Sequence, residues 1–336
     1  MKRPNTYGVA RLMSGLVLGA IFGVVSASNA WAGAVITSGP VSLGIATTGN
    51  LGDEESGTGL VLAAVGDAIA PGCFCEGWGV AGDGTVSAVN SGWASIADGG
   101  IVNITPESFI SGASTATSIV HLTSMPDLHV SQAYAPSAGA PTALFEDMVT
   151  ISNTSASTIT DIRYRRSMDW DIPPTVFDEF VTIAGLPAAN VLFSNDNGFS
   201  TSDPLGVRGP DLGGCGSTVN FTDCGPTDHG ALFDFGFGDL AAGDSKTFSI
   251  FYGAAYSEAD ALAALTSVGA EVYSLGQSHT ADGPTLGTPG TYIFGFKGVG
   301  GAPIGTPVIP EPTSLSLLGM GFVGLVAKSR RKKTIC

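Results

Sequence analysis

Residues 144–172 read LFEDMVTISNTSASTITDIRYRRSMDWDI. Val149 and Ile151 alternate with Thr150 and Ser152, and after a Ser/Thr-rich turn Ile162 and Tyr164 alternate with Arg163 and Arg165. Side chains of a strand point to opposite faces at a period of two. The stretch therefore predicts a β-hairpin with one face buried and one wet. Similar runs extend to both sides: SGPVSLGIATTG, GTGLVLAAVGDAIA, TSIVHLTS and LHVSQAYAPS before it, and FVTIAG, ANVLFSND, HGALFDFGFGDL, DSKTFSIFYGAAY, AEVYSLGQ and TYIFGFKGV after it. Short strands with Gly-rich turns roughly every 8–12 residues predict an all-β, antiparallel sandwich-like body. One segment, SEADALAALTSVG, predicts a short helix. Ser257 can cap it, Glu258 and Asp260 fall in its first turn, and Gly269 stops it. No fixed period recurs, which argues against a propeller or β-helix.

The charge is unevenly spread. The 336 residues carry 14 Lys and Arg against 29 Asp and Glu, a net charge of -15. Eight of the 14 bases lie at the two ends, so Gly33 to Pro310 holds 6 bases and 28 acids, or 6 minus 28, which is -22. Such a body repels nucleic acid and anionic membrane.

The ends read as sorting signals. Met1–Arg11 is basic, Leu12–Ala27 is apolar and uncharged, and Ala30-Trp31-Ala32 is a small-x-small site. This is a secretory signal peptide over 1–32, cut by signal peptidase before Gly33 once the secretion machinery has moved the chain. At the other end, Pro310-Glu311-Pro312 precedes a charge-free run over Leu315–Ala327 and the basic cluster Arg330, Arg331, Lys332 and Lys333. A helix over 312–327 spans roughly 24 Å, and the cluster stays cytoplasmic by the positive-inside rule. The prolines keep the preceding chain extended and open to a protease.

This three-part tail resembles the PEP-CTERM sorting signal, which is also catalogued as an ice-binding-protein C-terminal domain. The resemblance covers Ile309 to the end. It implies a Gram-negative envelope, transient anchoring in the inner membrane, and removal of the tail by exosortase. It also implies association with exopolysaccharide and biofilm at the cell surface or outside the cell. The expected organisation is a signal peptide over 1–32, a body over 33–298 that can divide near 135–145, a Gly/Pro linker over 299–309 and a sorting signal over 310–336. The membrane is met only through the C-terminal helix, before processing.

Chemistry is harder to find. Cys336 lies in the discarded tail, which leaves Cys73, Cys75, Cys215 and Cys224 in an exported body. An even count in that setting predicts disulfides. Local pairing, Cys73 with Cys75 and Cys215 with Cys224, is favoured over cross-pairing. A four-cysteine metal site is disfavoured by the spacing. His121, His129, His229 and His279 look scattered, and no zinc-protease, nucleophile-elbow or phosphate-loop motif is present.

Asp169, Asp171, Asp178 and Glu179 gather around Trp170, as carboxylates of a glycoside hydrolase would. The plainer reading pairs Asp169 and Asp171 with Arg163 or Arg165 and packs Trp170 on the opposite face. Asn195, Asp196, Asn197 and Asp203 supply hard oxygens suited to calcium, without the EF-hand order. A β-turn on Asn197-Gly198 is the plainer reading. No other cofactor is implied. The favoured function is a non-enzymatic surface or matrix protein. The alternatives are a secreted glycan-active enzyme and a carbohydrate- or ice-binding module.

Overall fold

A computed structural model describes residues 33–305. The signal segment with Ala30 and Ala32, the Pro310-Glu311-Pro312 motif, the apolar run expected to form a membrane helix and the Arg330–Lys333 cluster lie outside the described residues. Among the described residues, no helix is long and apolar enough to cross a membrane.

In chain order the elements are β1 (Ala34–Ser38), β2 (Val41–Ile45), β3 (Leu60–Leu62), β4 (Gly66–Asp67), β5 (Glu76–Ala81), β6 (Ser91–Ser95) and β7 (Gly100–Val102). Then come β8 (Ile104–Ser111), β9 (Ala116–Leu122), β10 (Met125–Pro136), β11 (Leu144–Asn153), β12 (Ile159–Trp170), β13 (Glu179–Ala184) and β14 (Val191–Asn195). The rest are β15 (Phe221–Thr227), β16 (His229–Leu240), β17 (Ser245–Ala255), α1 (Glu258–Val268), β18 (Val272–Ser278), α2 (Gly283–Leu286) and β19 (Thr291–Lys297). A nine-stranded sheet, ordered β15-β13-β18-β19-β17-β11-β10-β9-β8, faces a six-stranded sheet, ordered β14-β16-β12-β5-β6-β7, and β1–β4 form a third, small sheet. The body is thus an antiparallel β-sandwich, as its alternation implies. Residues 137–143, where a division was expected, join β10 to β11, which are neighbours in one sheet.

The hairpin expected at 144–172 is not formed. β11 pairs with β10 and β17, while β12 pairs with β5 and β16 in the other sheet. Residues 154–158 carry the chain across the sandwich. Alternation reports which side of a strand is buried, not which strand lies beside it. In this arch the two apolar faces meet across the core, and Val149, Ile151, Ile162 and Tyr164 are all buried. The Asn153 side-chain amide fixes the corner by donating to the carbonyls of Ser157 and Leu240 at 2.7 and 2.9 Å.

The wet face is also absent over much of β12, which is buried on both sides from Tyr164 to Trp170. The segment after β14 lies flat on the outer face of the six-stranded sheet. Gly77 and Gly79 on β5 permit that approach, since a Cβ there would fall 2.2 Å from Ser202 Oγ and 2.3 Å from the Ser202 carbonyl oxygen. Beneath this cover Arg165 makes two bonds to Asp234, at 2.5 and 3.0 Å, and one to the Thr201 carbonyl at 2.8 Å.

Between the sheets, Phe233 and Phe235 of β16 pack against Phe296 of β19, with ring centroids 4.8 and 4.9 Å apart. Helix α1 forms as expected: Ser257 Oγ accepts from the Asp260 N–H, and Gly269 adopts a left-handed C-cap. The four-residue α2 was not anticipated.

Arg166, the other half of the arginine pair, points into the core and is wholly buried. Its Nε bonds Glu76 of β5. Its terminal nitrogens donate to Gln132 Oε1 at 2.5 Å, to the Tyr164 and Tyr134 hydroxyls at 3.1 Å each, and to the Gly49 carbonyl at 3.1 Å. Tyr252 of β17 lies beneath the guanidinium, 5.3 Å from ring centroid to Cζ, and donates to Glu76 at 3.0 Å. Asp147 of β11 stands 3.8 Å away. Burial raises the Asp147 carboxyl to about 7 against the pull of Arg166.

Removing one member of a buried, fully bonded ion pair strands the other, a loss of about 3–5 kcal/mol. Arg166→Ala is therefore expected to lose about that much in urea unfolding, whereas Arg163→Ala, at a partly exposed pair with Asp161, should lose about 0.2–1 kcal/mol. A raised carboxyl contributes most to stability below its unfolded pKa near 3.8 and loses that contribution as pH rises through about 7. Asp147→Asn should therefore gain on the wild type between about pH 4 and 7, seen as a stability gap that opens over that range and levels off above it.

Candidate functional site

The carboxylates around Trp170 converge where the two sheets meet. Asp169 and Asp171 lie two apart at the end of β12, and Glu179 opens β13 in the facing sheet. Asp228, in the turn between β15 and β16, completes the group. One carboxylate oxygen from each of Asp169, Glu179 and Asp228 lies within 4.8 Å of the others. Asp169, Asp171 and Glu179 are 2, 0 and 0% exposed. Only Asp228 reaches solvent.

Among the described residues, no arginine answers this charge. The expected pairs to Asp169 and Asp171 are not formed, because Arg163 pairs with Asp161 and Arg165 is taken by Asp234. Trp170 does pack the opposite face: it is fully buried, and its Nε1 donates to Ser274 Oγ at 3.2 Å. Asp178 stands apart, exposed and paired with His279 at 2.6 Å. Asp169 Oδ1, both Asp171 oxygens and Glu179 Oε2 have no hydrogen-bond partner. Burial, with the charge of Asp228, lifts Asp169 to about 7. Burial and the Asp169 charge lift Asp171 to about 8. Burial, reinforced by Asp169 and Asp228 and opposed by the His229 N–H, lifts Glu179 to about 9.

His229 closes one wall. Its backbone N–H donates to Glu179 Oε1 at 3.1 Å. Its Nδ1 faces Asp196 Oδ2 at 2.9 Å and its Nε2 faces the Glu179 carbonyl at 3.2 Å. Both partners are acceptors, so both bonds form only with a doubly protonated ring. Asp228 went unnoticed in the sequence and His229 was read only as one of four scattered histidines, although the two stand together in a TDHG turn.

Of the suggested calcium residues, the two carboxylates are bonded within the protein, while Asn197 Oδ1 has no hydrogen-bond partner among the described residues. Asp196 also accepts from the backbone of Leu212 and Gly213, at 2.8 and 2.6 Å. Asp203 bonds Ser87 Oγ at 2.5 Å and the Leu205 N–H at 2.9 Å. The Asn197 side-chain amide donates to the Pro210 carbonyl at 2.7 Å, and Asn195 Oδ1 accepts from the Asn197 N–H at 3.1 Å. These residues pin the covering segment. Both local disulfides are formed, Cys73–Cys75 and Cys215–Cys224, so no thiolate is left in either pair for a metal.

His121 and His129 are not scattered. They oppose each other on β9 and β10, and each turns Nδ1 toward one Glu107 oxygen, at 2.6 and 3.1 Å. Two shallow clefts lie on the six-stranded side. One, of 160 Å³, is lined by Cys75, Asp98, Ser167 and Phe199. The other, of 290 Å³, is lined by Thr85, Arg163, Leu205 and Arg208. The carboxylates around Trp170 line neither.

The Cys215–Cys224 bond closes the end of the covering segment beside the site. Closing a loop of this length in the unfolded chain is worth about 2–3 kcal/mol. The double variant Cys215→Ser, Cys224→Ser should lose about that much in urea unfolding, and proteolysis should first nick the segment over 205–220.

Comparison with known proteins adds two findings. No curated protein matches the chain. Among solved structures, the crystal structure of a galactose mutarotase-like protein from Lactobacillus casei ATCC 334 is similar at 10% identity and a TM-score of 0.30, over 79% of this chain and 87% of that chain. The family model of the PEP-CTERM protein-sorting motif matches residues 308–332. The chain carries this motif and is thereby marked as an exported protein, transiently anchored in a membrane, with exosortase as its processing partner.

Proposed function

We propose that the mature body is a non-enzymatic protein of the cell surface or extracellular matrix of a Gram-negative bacterium, held among exopolysaccharide after exosortase removes its tail. The observation that carries this reading is that the described strands all lie between the two expected sorting signals. β1 begins at Ala34, one residue past the expected signal-peptidase cut, and β19 ends at Lys297. The opening of the expected linker is docked on the body. Val299 is fully buried, the Glu271 carboxylate accepts the N–H groups of Gly298, Val299 and Gly301, and the Ile304 N–H bonds the Ala270 carbonyl. A cut near Pro310–Pro312 therefore spares every strand among the described residues.

The glycan-active alternative needs Asp169, Asp171 and Glu179 to line an open cleft with Trp170 as a sugar platform. All four side chains are buried instead. The strongly acidic body favours partners that are neutral or bridged by cations.

Mass spectrometry of the protein from culture supernatant and envelope should find a chain that starts at Gly33 and ends near Pro310–Pro312. In cells lacking exosortase it should keep its tail and sediment with the inner membrane. A mature chain that still ends at Cys336 in wild-type cells would overturn the reading.

A further inference from the structure

We propose that Asp169, Glu179 and Asp228 form a calcium-binding site at the end of the sandwich, bridging its two sheets, with Asp171 behind them. The first observation is the convergence of three carboxylate oxygens within 4.8 Å of one another. Calcium takes oxygen ligands at about 2.3–2.6 Å, so ligands on opposite sides of the ion stand about 5 Å apart. The second is independent of the first. Glu179 and Asp171 are fully buried and Asp169 nearly so, yet Glu179 Oε2, Asp169 Oδ1 and both Asp171 oxygens lack any hydrogen-bond partner.

A buried carboxylate without a partner is costly, and such groups are paired or bind metal. Protonation would remove the charge, but each buried O–H would then need an acceptor, as in O–H···O bonds of about 2.5–2.7 Å between the carboxyls. None of the unpartnered oxygens makes such a bond.

The surrounding groups decide which cation fits. Asp67, Asp169, Asp171, Glu179 and Asp228 supply the negative charge. His229 supplies no ligand, because both ring nitrogens are engaged with Asp196 and the Glu179 carbonyl. Cys73 and Cys75 stand beside Asp169 but are joined as a disulfide. Oxygen is then the only donor type, which selects a hard cation over zinc or copper. Exposed Asp228 gives the ion its way in and room for water ligands. The site differs from the Asp196–Asp203 loop, whose carboxylates are already bonded within the protein.

The test uses the full-length chain, stripped with EDTA and titrated with terbium, whose emission the indole of Trp170 can sensitise. One saturable terbium signal, displaced by calcium, is expected, together with a rise in Tm on adding calcium. Asp228→Asn and Glu179→Gln should each weaken calcium binding more than about tenfold, while Asp203→Asn should leave it unchanged. Neither isosteric variant should gain Tm on adding calcium to the extent that the wild type does. Absence of saturable binding to the wild type would overturn the proposal. So would wild-type calcium affinity in Asp228→Asn, a surface change that decides the matter even if Glu179→Gln does not fold.

Discussion

A guanidinium with no access to water must find protein partners for all its N–H groups, or the fold that buries it will not persist. Arg166 finds them on both sides of the sandwich. Glu76 and Tyr164 belong to the six-stranded sheet, Gln132 and Tyr134 to the nine-stranded one, and Gly49 to the loop after β2. Each partner is in turn held. Glu76 also accepts from the Leu51 N–H at 2.6 Å, and the Tyr134 hydroxyl donates to the Gly49 carbonyl at 2.7 Å. Directional bonds of this kind set the spacing and relative position of the sheets in a way that apolar contacts alone do not. The aromatic layer of Phe233, Phe235 and Phe296 supplies the bulk of the burial, and Arg166 fixes where the layers sit.

The same strand carries the opposite situation three residues later. At Asp169 the carboxylate is again buried, but its Oδ1 has no hydrogen-bond partner among the described residues. A protein that satisfies Arg166 so fully, yet leaves Asp169 Oδ1, both Asp171 oxygens and Glu179 Oε2 unpartnered among the described residues, divides β12 into a half bonded within the fold and a half that the proposed calcium would complete. Calcium bridging β12 and β13 would do at the end of the sandwich what Arg166 does at its centre. The exported setting is consistent with this, since calcium is abundant outside cells and sensors there bind it only weakly.

Much of this was readable beforehand, for physical reasons that also explain the failures. Strand alternation located β9 to β12, β16, β17 and β19, because burial on one face leaves its mark every second residue. Capping chemistry placed α1 to the residue. Strand β5 was missed: its sequence EGWGVA offers Gly where alternation would show side chains, and those glycines exist to admit a covering segment from far along the chain. β15, FTDCGPT, was hidden in the same way by Gly, Pro and Asp. The arch was taken for a hairpin because pairing is a tertiary fact that local periodicity does not encode. The carboxylate cluster was half visible, since Asp169, Asp171 and Glu179 are close in sequence. Asp228 and His229 come from about fifty residues away, through sheet pairing alone.

The claim that Arg166 couples the two sheets is tested most directly by hydrogen exchange on the Arg166→Met variant, read strand by strand against wild type. Coupling predicts that protection falls together in β5 and β12 on one side and in β10, β11 and β17 on the other. A loss confined to β5, β12 and their six-stranded neighbours, with the nine-stranded sheet unchanged, would contradict it.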